Sequence, residues 1–577
     1  MQPLTVRRSG QESSAGSAEL FRTTQRDLMP FEIALSPARA NTLRAQGWWR
    51  DKTINACFDQ VLERSPDKTA LVAHTRGNEA ARRISYRELD RLVATASASL
   101  SALGVGRGDV VSIQLPNVWQ FVVTSLAASR IGAVVNPLMP ILRERELAYM
   151  LDFCEAKVLV VPSRYRGHDH AAMARGLLPQ LTKLKRLVVV GDDGADGFDR
   201  VLLNPDMQAP VSLSAAAARL QPDDVSLLMF SSGTTGAPKG VMHTSNTLLS
   251  TLFTSIEDLH LSSDDVVLTI SPVGHLLGYA YQTMMPLMLG ATTVLMDEWE
   301  PRVALELMRS EKVSFSAAAT PFLADLLNAV EAGDPGAPSF RLLGCAGAPV
   351  PAVLVERAAT CMNLTVCSIW GMTETVAGTL TQVERARELS AVADGRAARG
   401  NEVRVVDEEG RPVPLGTTGR LLFRGSSLFV GYLKRPELNA LDAEGWFDTG
   451  DRAYLLNDEG YIRINGRSKD IIIRGGENIP VFEIESLLLR HPAIAEIAIV
   501  GYPDERLGER ACAFIVLKPR WTFDTDAMAQ YMGASKTAKQ YWPERIVICE
   551  ELPKTGSGKV QKFRLRERAI ACASDQS

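Results

Sequence analysis

Between residues 84 and 161 the apolar positions switch repeatedly between a helical and a strand-like period, and this alternation constrains the fold more than any other feature of the chain. Residues 84–100 carry helical spacing, the glycine-rich stretch 104–108 stops it, and 110–115 reads as a strand. A helix over 119–130, a strand over 133–137, a helix over 144–154 and a strand over 157–161 follow. Such an order predicts an α/β fold with parallel sheets covered by the intervening helices.

At 577 residues the chain exceeds a single core, and two changes of texture divide it. The first forty or so residues are rich in Ser, Arg and Gln, which predicts a flexible N-terminal arm over 1–45. After Gly466 the chain is charged, then apolar, then glycine-rich, and the remainder suits a compact α+β unit. The expected division is a large domain over 46–468 and a small one over 469–577, with the boundary at Lys469.

A net charge of -4 gives no electrostatic pull toward nucleic acid or anionic membrane. The 8 cysteines include no C-x-x-C pair, which suits reduced thiols in a cytoplasm and indicates no zinc site. The N-terminus lacks the apolar run of a signal peptide, so a cytoplasmic location is expected. Residues 266–296 contain no Asp, Glu, Lys or Arg and are long enough to span a bilayer. Pro272, Gly274, His275, Gly278 and Pro286 interrupt them, predicting buried strand, loop, helix and strand instead. His168, Asp169 and His170 read as a solvated loop, because two histidines alone are a weak metal signal.

The motif FSSGTTGAPKG at 230–240 follows a strand-like run and has the composition of a phosphate loop. Its spacing fails the Walker pattern: Pro238 stands where the second glycine belongs, and Lys239 is followed by Gly240. The glycines still let backbone amides approach a polyphosphate, while Ser231, Ser232, Thr234 and Thr235 add hydroxyls and Lys239 a charge. Composition alone favours a surface turn. The segment GSGK at 556–559 has a similar texture and also fails the pattern, because Pro553 occupies the first glycine position.

The order S-S-G-T-T-G-x-P-K-G resembles the signature of adenylate-forming acyl-CoA synthetases, the superfamily that includes peptide-synthetase adenylation domains and luciferases. Five more motifs agree in chain order: AGAP at 346–349, WGMTET at 370–375, WFDTGD at 446–451, GRSKD at 466–470 and PKTGSGK at 553–559. The resemblance spans residue 53 to the C-terminus and implies a large N-terminal domain of helix-covered sheets with a small mobile C-terminal domain. It also implies ATP, Mg²⁺ and CoA as cofactor and substrates, acyl-AMP and pyrophosphate as first products, and an acyl-CoA thioester and AMP as second products.

The resemblance carries roles onto matching positions, each with a chemical rationale. Ser231, Ser232, Gly233, Thr234, Thr235, Gly236 and Lys239 are implied to hold the β- and γ-phosphates. Gly347, Ala348, Pro349, Gly371 and Met372 border the nucleotide, and Trp370 offers a flat face to adenine, although ordinary core packing explains such a residue as well. Thr373 and Glu374 suit an α-phosphate oxygen and Mg²⁺, Asp451 the two ribose hydroxyls, and Arg467 a further ribose or phosphate contact. Lys559 is the implied principal catalyst, an ammonium placed where negative charge accumulates during attack. His275 matches a gate between acyl pocket and thiol tunnel, with a satisfied core histidine as the alternative. Phe322, Gly347 and Ala348 are implied to line the acyl pocket. For the second half-reaction, rotation about a hinge at Lys469 is implied to replace Lys559 with the Arg474, Gly475 and Gly476 loop, with Lys539 near the CoA nucleotide.

Val273 and Gly274 stand where amino-acid-activating relatives place an Asp, so a free amino acid is disfavoured. Pro480, one place early for most relatives, the VQK run after Lys559 and GWWRD at 47–51 resemble the cyclohexanecarboxylate and short- to medium-chain acyl-CoA ligase branch. The expected substrate is an alicyclic, branched or medium-chain acid. A carrier-protein acceptor and a homodimer stay open, a non-catalytic nucleotide-binding regulator is the competing class, and neither nucleic acid nor stable membrane association is expected.

Overall fold

The computed structural model describes residues 31–77, 80–204, 206, 220–231, 238–467, 472–474, 477–479, 481–504, 507–535, 537, 539–555 and 558–574. Among these, two sheets carry the large domain. One has 9 strands, of which Thr365–Trp370, Leu342–Ala346, Phe315–Ala319, Val266–Thr269, Thr292–Met296 and Thr69–His74 run parallel in that spatial order. The other has 6, with Val225–Ser231, Val134–Pro137, Val110–Ile113, Val158–Pro162 and Arg186–Val190 parallel and Lys239–Thr244 added antiparallel at one edge. The strands are buried on both faces, as in VLVVP at 158–162, because helices cover them. The expected alternation holds closely: helices occupy Tyr86–Ala102, Trp119–Arg130 and Glu144–Phe153 between those strands.

The uncharged stretch 266–296 folds as predicted into strand Val266–Thr269, a loop, the π-helix Leu277–Met284, a short helix Met285–Leu289 and strand Thr292–Met296. No helix among the described residues is long and apolar enough to cross a membrane. A 4-stranded antiparallel sheet, Asn401–Val406, Gly419–Gly425, Phe447–Leu455 and Ile462–Arg467, follows. The small domain packs Val481–Leu489, Thr525–Ala534 and Lys562–Ser574 with a sheet built on the long hairpin Ile494–Asp504 and Gly508–Leu517.

Two expectations are corrected. The arm predicted over 1–45 is attached from Phe31 onward: Phe31, Ile33 and Leu35 pack on the core beneath the 6-stranded sheet, and Pro37–Ala45 is a helix capped by Ser36. Its residues 1–30 lie outside the described residues. His170 is not in a solvated loop but fully buried at the start of helix His170–Leu177, one ring nitrogen 3.0 Å from Pro140 O and the other 3.3 Å from His168 O. A neutral imidazole carries one N–H, which donates to one of these two carbonyls.

Candidate active site

The site lies at the C-terminal end of the parallel strands, where open α/β sheets place ligands. Strand Val225–Ser231 turns through the predicted phosphate loop into Lys239–Thr244, pairing Ser231 with Lys239. Ser232, Gly233, Thr234, Thr235 and Gly236 lie outside the described residues. Strand Thr365–Trp370 ends in Trp370, whose Nε1 donates to Asp451 Oδ2 at 2.8 Å, so two residues 81 positions apart meet directly. Trp370 is buried among Phe423, Leu421 and Ile464, the packing alternative raised for it, and it also brings its ring beside the carboxylate predicted to hold ribose. Asp451 faces Arg467 in the register of the adjoining strands.

After Trp370 the chain folds back sharply. A side chain at Gly371 would place its Cβ 1.8 Å from Val376 O, so only glycine fits. Val376 itself adopts φ 57, a left-handed conformation costly for a β-branched residue and characteristic of functional loops. Glu374, in that turn, is 5% exposed, and Tyr432 Oη donates to its Oε1 at 2.8 Å. The Lys239 ammonium lies over the Tyr432 ring at 4.9 Å, linking the phosphate strand to this acid.

A buried carboxylate, with Thr373 next to it in the chain, suits a hard divalent cation. No group of three or more His, Cys, Asp or Glu converges among the described residues. A cation here would therefore draw most of its ligands from substrate oxygens and water, as Mg²⁺ does.

Lys559 enters from the small domain and reaches the loop after strand Leu342–Ala346. A Cβ built on Gly347 would lie 3.1 Å from Lys559 Cε and 3.7 Å from Ala319 Cβ. Gly347 has φ +93, which favours glycine independently of that space. His275 is near enough for the ammonium to act on it: enclosure first, and the Lys559 charge second, push its pKa down to about 3. A neutral imidazole results, with Nδ1 accepting from Leu277 N–H at 3.3 Å. Gly347 is half-buried, Ala348 exposed and Pro349 half-buried, around the reach of Lys559.

Other predicted residues stand apart or outside. Phe322 packs edge-to-face on Trp299 at 4.9 Å. Arg474 pairs with Glu544 at 2.6 Å within the small domain, and Lys539 is exposed on a 3-10 turn. Lys469, Gly475 and Gly476 lie outside the described residues, as does the side chain of Arg467.

Several structural partners of the site were not singled out from sequence. His243 is fully buried, with Nε2 2.7 Å from Thr373 O and Nδ1 3.0 Å from Thr247 Oγ1. The carbonyl requires Nε2 to carry the proton, which leaves Nδ1 to accept from the hydroxyl. Asn117 and Gln282 bind the backbone of the His275 loop: Asn117 Nδ2 donates to Ser271 O, Val273 N–H donates to Asn117 Oδ1, and Ser271 N–H donates to Gln282 Oε1. The DTGD segment signals Asp451, but nothing near His243 or Asn117 in sequence marks them as partners of Thr373 and of the His275 loop.

His243 gives a pH dependence with a definite sign. Burial pushes its pKa down to about 4 from an ordinary value of 6.5. Between those values the unfolded chain binds the proton and the folded chain does not, so stability is full above about pH 6.5 and falls with acidification until about pH 4. The loss from this group is at most about 3 kcal/mol. His243→Gln, which keeps a donor for Thr373 O, is expected to flatten part of the decline in melting temperature between pH 7 and 4. An unchanged decline would remove His243 as its source.

The family described as AMP-binding enzyme matches residues 58–433, and the AMP-binding enzyme C-terminal domain matches 483–559. A medium-chain fatty-acid–CoA ligase of Escherichia coli (strain K12) is 35% identical, with 96% of each chain covered. A salicylyl-CoA synthase / salicylate adenylyltransferase of a Streptomyces species is 33% identical over 92% of this chain and 96% of its own. Among solved structures, the anthranilate CoA ligase AuaEII in complex with anthranoyl-AMP superposes with a TM-score of 0.82 at 25% identity, covering 91% of this chain and 98% of that one. ATP-bound MatB from Rhodopseudomonas palustris gives 0.78 at 26% identity, with 90% and 99% covered.

Proposed function

The chain belongs to the AMP-binding enzyme family, the acyl-CoA ligases and acyl-adenylate-forming enzymes, and from that premise we propose that it activates an alicyclic, branched or medium-chain carboxylic acid and passes the acyl group to CoA. The chemistry is that of an AMP-forming acid–thiol ligase. In the first step a carboxylate oxygen attacks the α-phosphorus of ATP, the bond to the β-phosphate oxygen breaks, and pyrophosphate leaves. In the second, the CoA sulfur attacks the acyl carbonyl, its proton departs to solvent or a base, and the bond to AMP breaks.

The observation that carries the first step is the delivery of Lys559 from the small domain to Gly347. Its ammonium is placed to offset charge on the carboxylate and α-phosphate as they approach, a preorganised electrostatic contribution. Asp451, oriented by Trp370, holds the ribose hydroxyls through its acceptor oxygens. Glu374, fixed by Tyr432, and Thr373 would hold Mg²⁺ and an α-phosphate oxygen. Bound there, Mg²⁺ supplies charge neutralisation to the triphosphate. The β- and γ-phosphates are assigned to Lys239 and to the phosphate motif, whose residues 232–237 lie outside the described residues.

For the second step, rotation of the small domain about Lys469 brings the Arg474, Gly475 and Gly476 loop to the thiol tunnel, with neutral His275 at the gate. The site is read as working on soluble substrates in the cytoplasm, with Mg²⁺ as the metal.

The test is acid-dependent ATP–pyrophosphate exchange across aliphatic, alicyclic, aromatic and polycyclic acids, followed by thioester detection with CoA. Exchange is expected to be strongest with medium-chain, branched or alicyclic acids and to give AMP rather than ADP. Preference for an aryl acid would overturn the substrate class, and acyl-AMP that persists with CoA yet loads a carrier protein would overturn the acceptor.

A further inference from the structure

We propose that the N-terminal segment 31–51 is a positioning clamp for the Thr373–Thr375 turn, working through the segment 425–430, with Arg39 and Trp49 as its principal contacts. The inference rests on the reading of Glu374 as the metal-binding acid.

The turn is held by all three of its successive carbonyls. Thr373 O accepts from His243 at 2.7 Å, Glu374 O from the Phe429 N–H at 2.8 Å, and Thr375 O from the Ser427 hydroxyl at 2.7 Å. Val376, the next residue, has φ 57, a conformation that persists only where surroundings over-determine it. Two of the three captors, Ser427 and Phe429, belong to one short stretch of chain. That stretch also borders the phosphate strand, since Val430 N–H donates to Met242 O at 3.0 Å and Leu433 N–H to Gly240 O at 2.8 Å. It is therefore placed to set the phosphate strand and the acidic turn relative to each other.

The same stretch gives its own carbonyls to the N-terminal segment. Arg39 Nη2 donates to Gly425 O at 3.2 Å and to Leu428 O at 2.6 Å, and Trp49 Nε1 donates to Ser426 O at 2.9 Å. Ala34 N–H donates to Val430 O at 2.6 Å. Trp48 lies against the backbone of Gly400, whose carbonyl accepts from Ser426 N–H at 2.9 Å.

The central contact is a charge where a neutral donor would make the same bonds. The Arg39 guanidinium meets backbone carbonyls, its Nη1 has no hydrogen-bond partner among the described residues, and burial pushes its pKa down to about 10. Its field reaches His243, which itself holds Thr373. An enclosed cation that meets no carboxylate among the described residues is costly, and mere cladding of the domain does not require it.

The experiment measures ATP affinity by calorimetry with and without Mg²⁺, and AMP affinity, for the full chain and for Arg39→Met, Arg39→Lys, Trp49→Phe and Glu374→Gln. Glu374→Gln is expected to erase the tightening of ATP by Mg²⁺. Arg39→Met and Trp49→Phe are expected to reduce that tightening about tenfold, with AMP affinity changed less than about twofold, and Arg39→Lys to recover most of it. If Arg39→Met does not fold, Trp49→Phe decides, because it removes one hydrogen bond and keeps an aromatic ring in place. Tightening retained in the Arg39 and Trp49 variants but lost in Glu374→Gln overturns the clamp. So does a parallel fall of ATP and AMP affinity that tracks melting temperature, which is the signature of a purely structural role. Tightening retained in Glu374→Gln overturns the metal reading, and the clamp with it.

Discussion

Lys559→Ala is expected to lower acid-dependent ATP–pyrophosphate exchange by at least about a hundredfold, the scale on which loss of one preorganised charge-stabilising group acts. Conversion of preformed acyl-AMP to thioester is expected to stay within a few-fold of wild type, because that step is assigned to the opposite face of the small domain. The side chain reaches the large domain at Gly347 and lowers the His275 pKa through its charge, which puts it at the junction of the proposed nucleotide and acyl sites. It is partly exposed on a loop, and its truncation is expected to change stability by no more than about 0.5 kcal/mol. Melting temperature thus separates a catalytic loss from unfolding. Exchange that survives the substitution would refute the role, and equal loss of both partial reactions would refute the division of labour between domains.

Legibility in the sequence followed the range of the interactions. The helix over Trp119–Arg130 falls where its period placed it, and the uncharged stretch 266–296 resolves into the predicted strand, loop, helix and strand, because local periodicity and breakers determine such elements. Trp370 and Asp451 were both singled out, each inside a motif, and their 2.8 Å contact adds the reason they occur together. His243 had no such marker. It sits in an ordinary buried strand, and its role arises only when a residue 130 positions later offers a carbonyl.

The N-terminal segment shows a different limit. Helix Pro37–Ala45 buries only Ala40 and Leu43, so it lacks an apolar stripe and resembles a solvated arm by composition. Its attachment is made by Arg39 to carbonyls and by tryptophans beyond the helix, interactions that no period encodes. His170 is the same case in miniature: it follows Asp169 in sequence, and only the fold brings the Pro140 carbonyl, 30 positions earlier, to its ring.

Gly347→Val is expected to be the second most damaging change, lowering exchange about a hundredfold through a displacement on the order of 1 Å. Two effects combine. At φ +93 a β-branched residue carries backbone strain of about 1–3 kcal/mol, and the new Cβ, 3.1 Å from Lys559 Cε before its methyls are added, drives the lysine away from the reacting groups. Gly347→Ala adds only the first carbon, against the flexible end of a side chain that can yield by a few tenths of an ångström, and is expected to fall between wild type and valine. The two effects separate in a double-mutant cycle. In a Lys559→Ala background the collision has no partner, so the residual exchange should fall much less on introducing valine than it does in wild type. An equal factor in both backgrounds would assign the damage to the backbone or the acyl pocket and would leave the Gly347 contact without a part in placing Lys559.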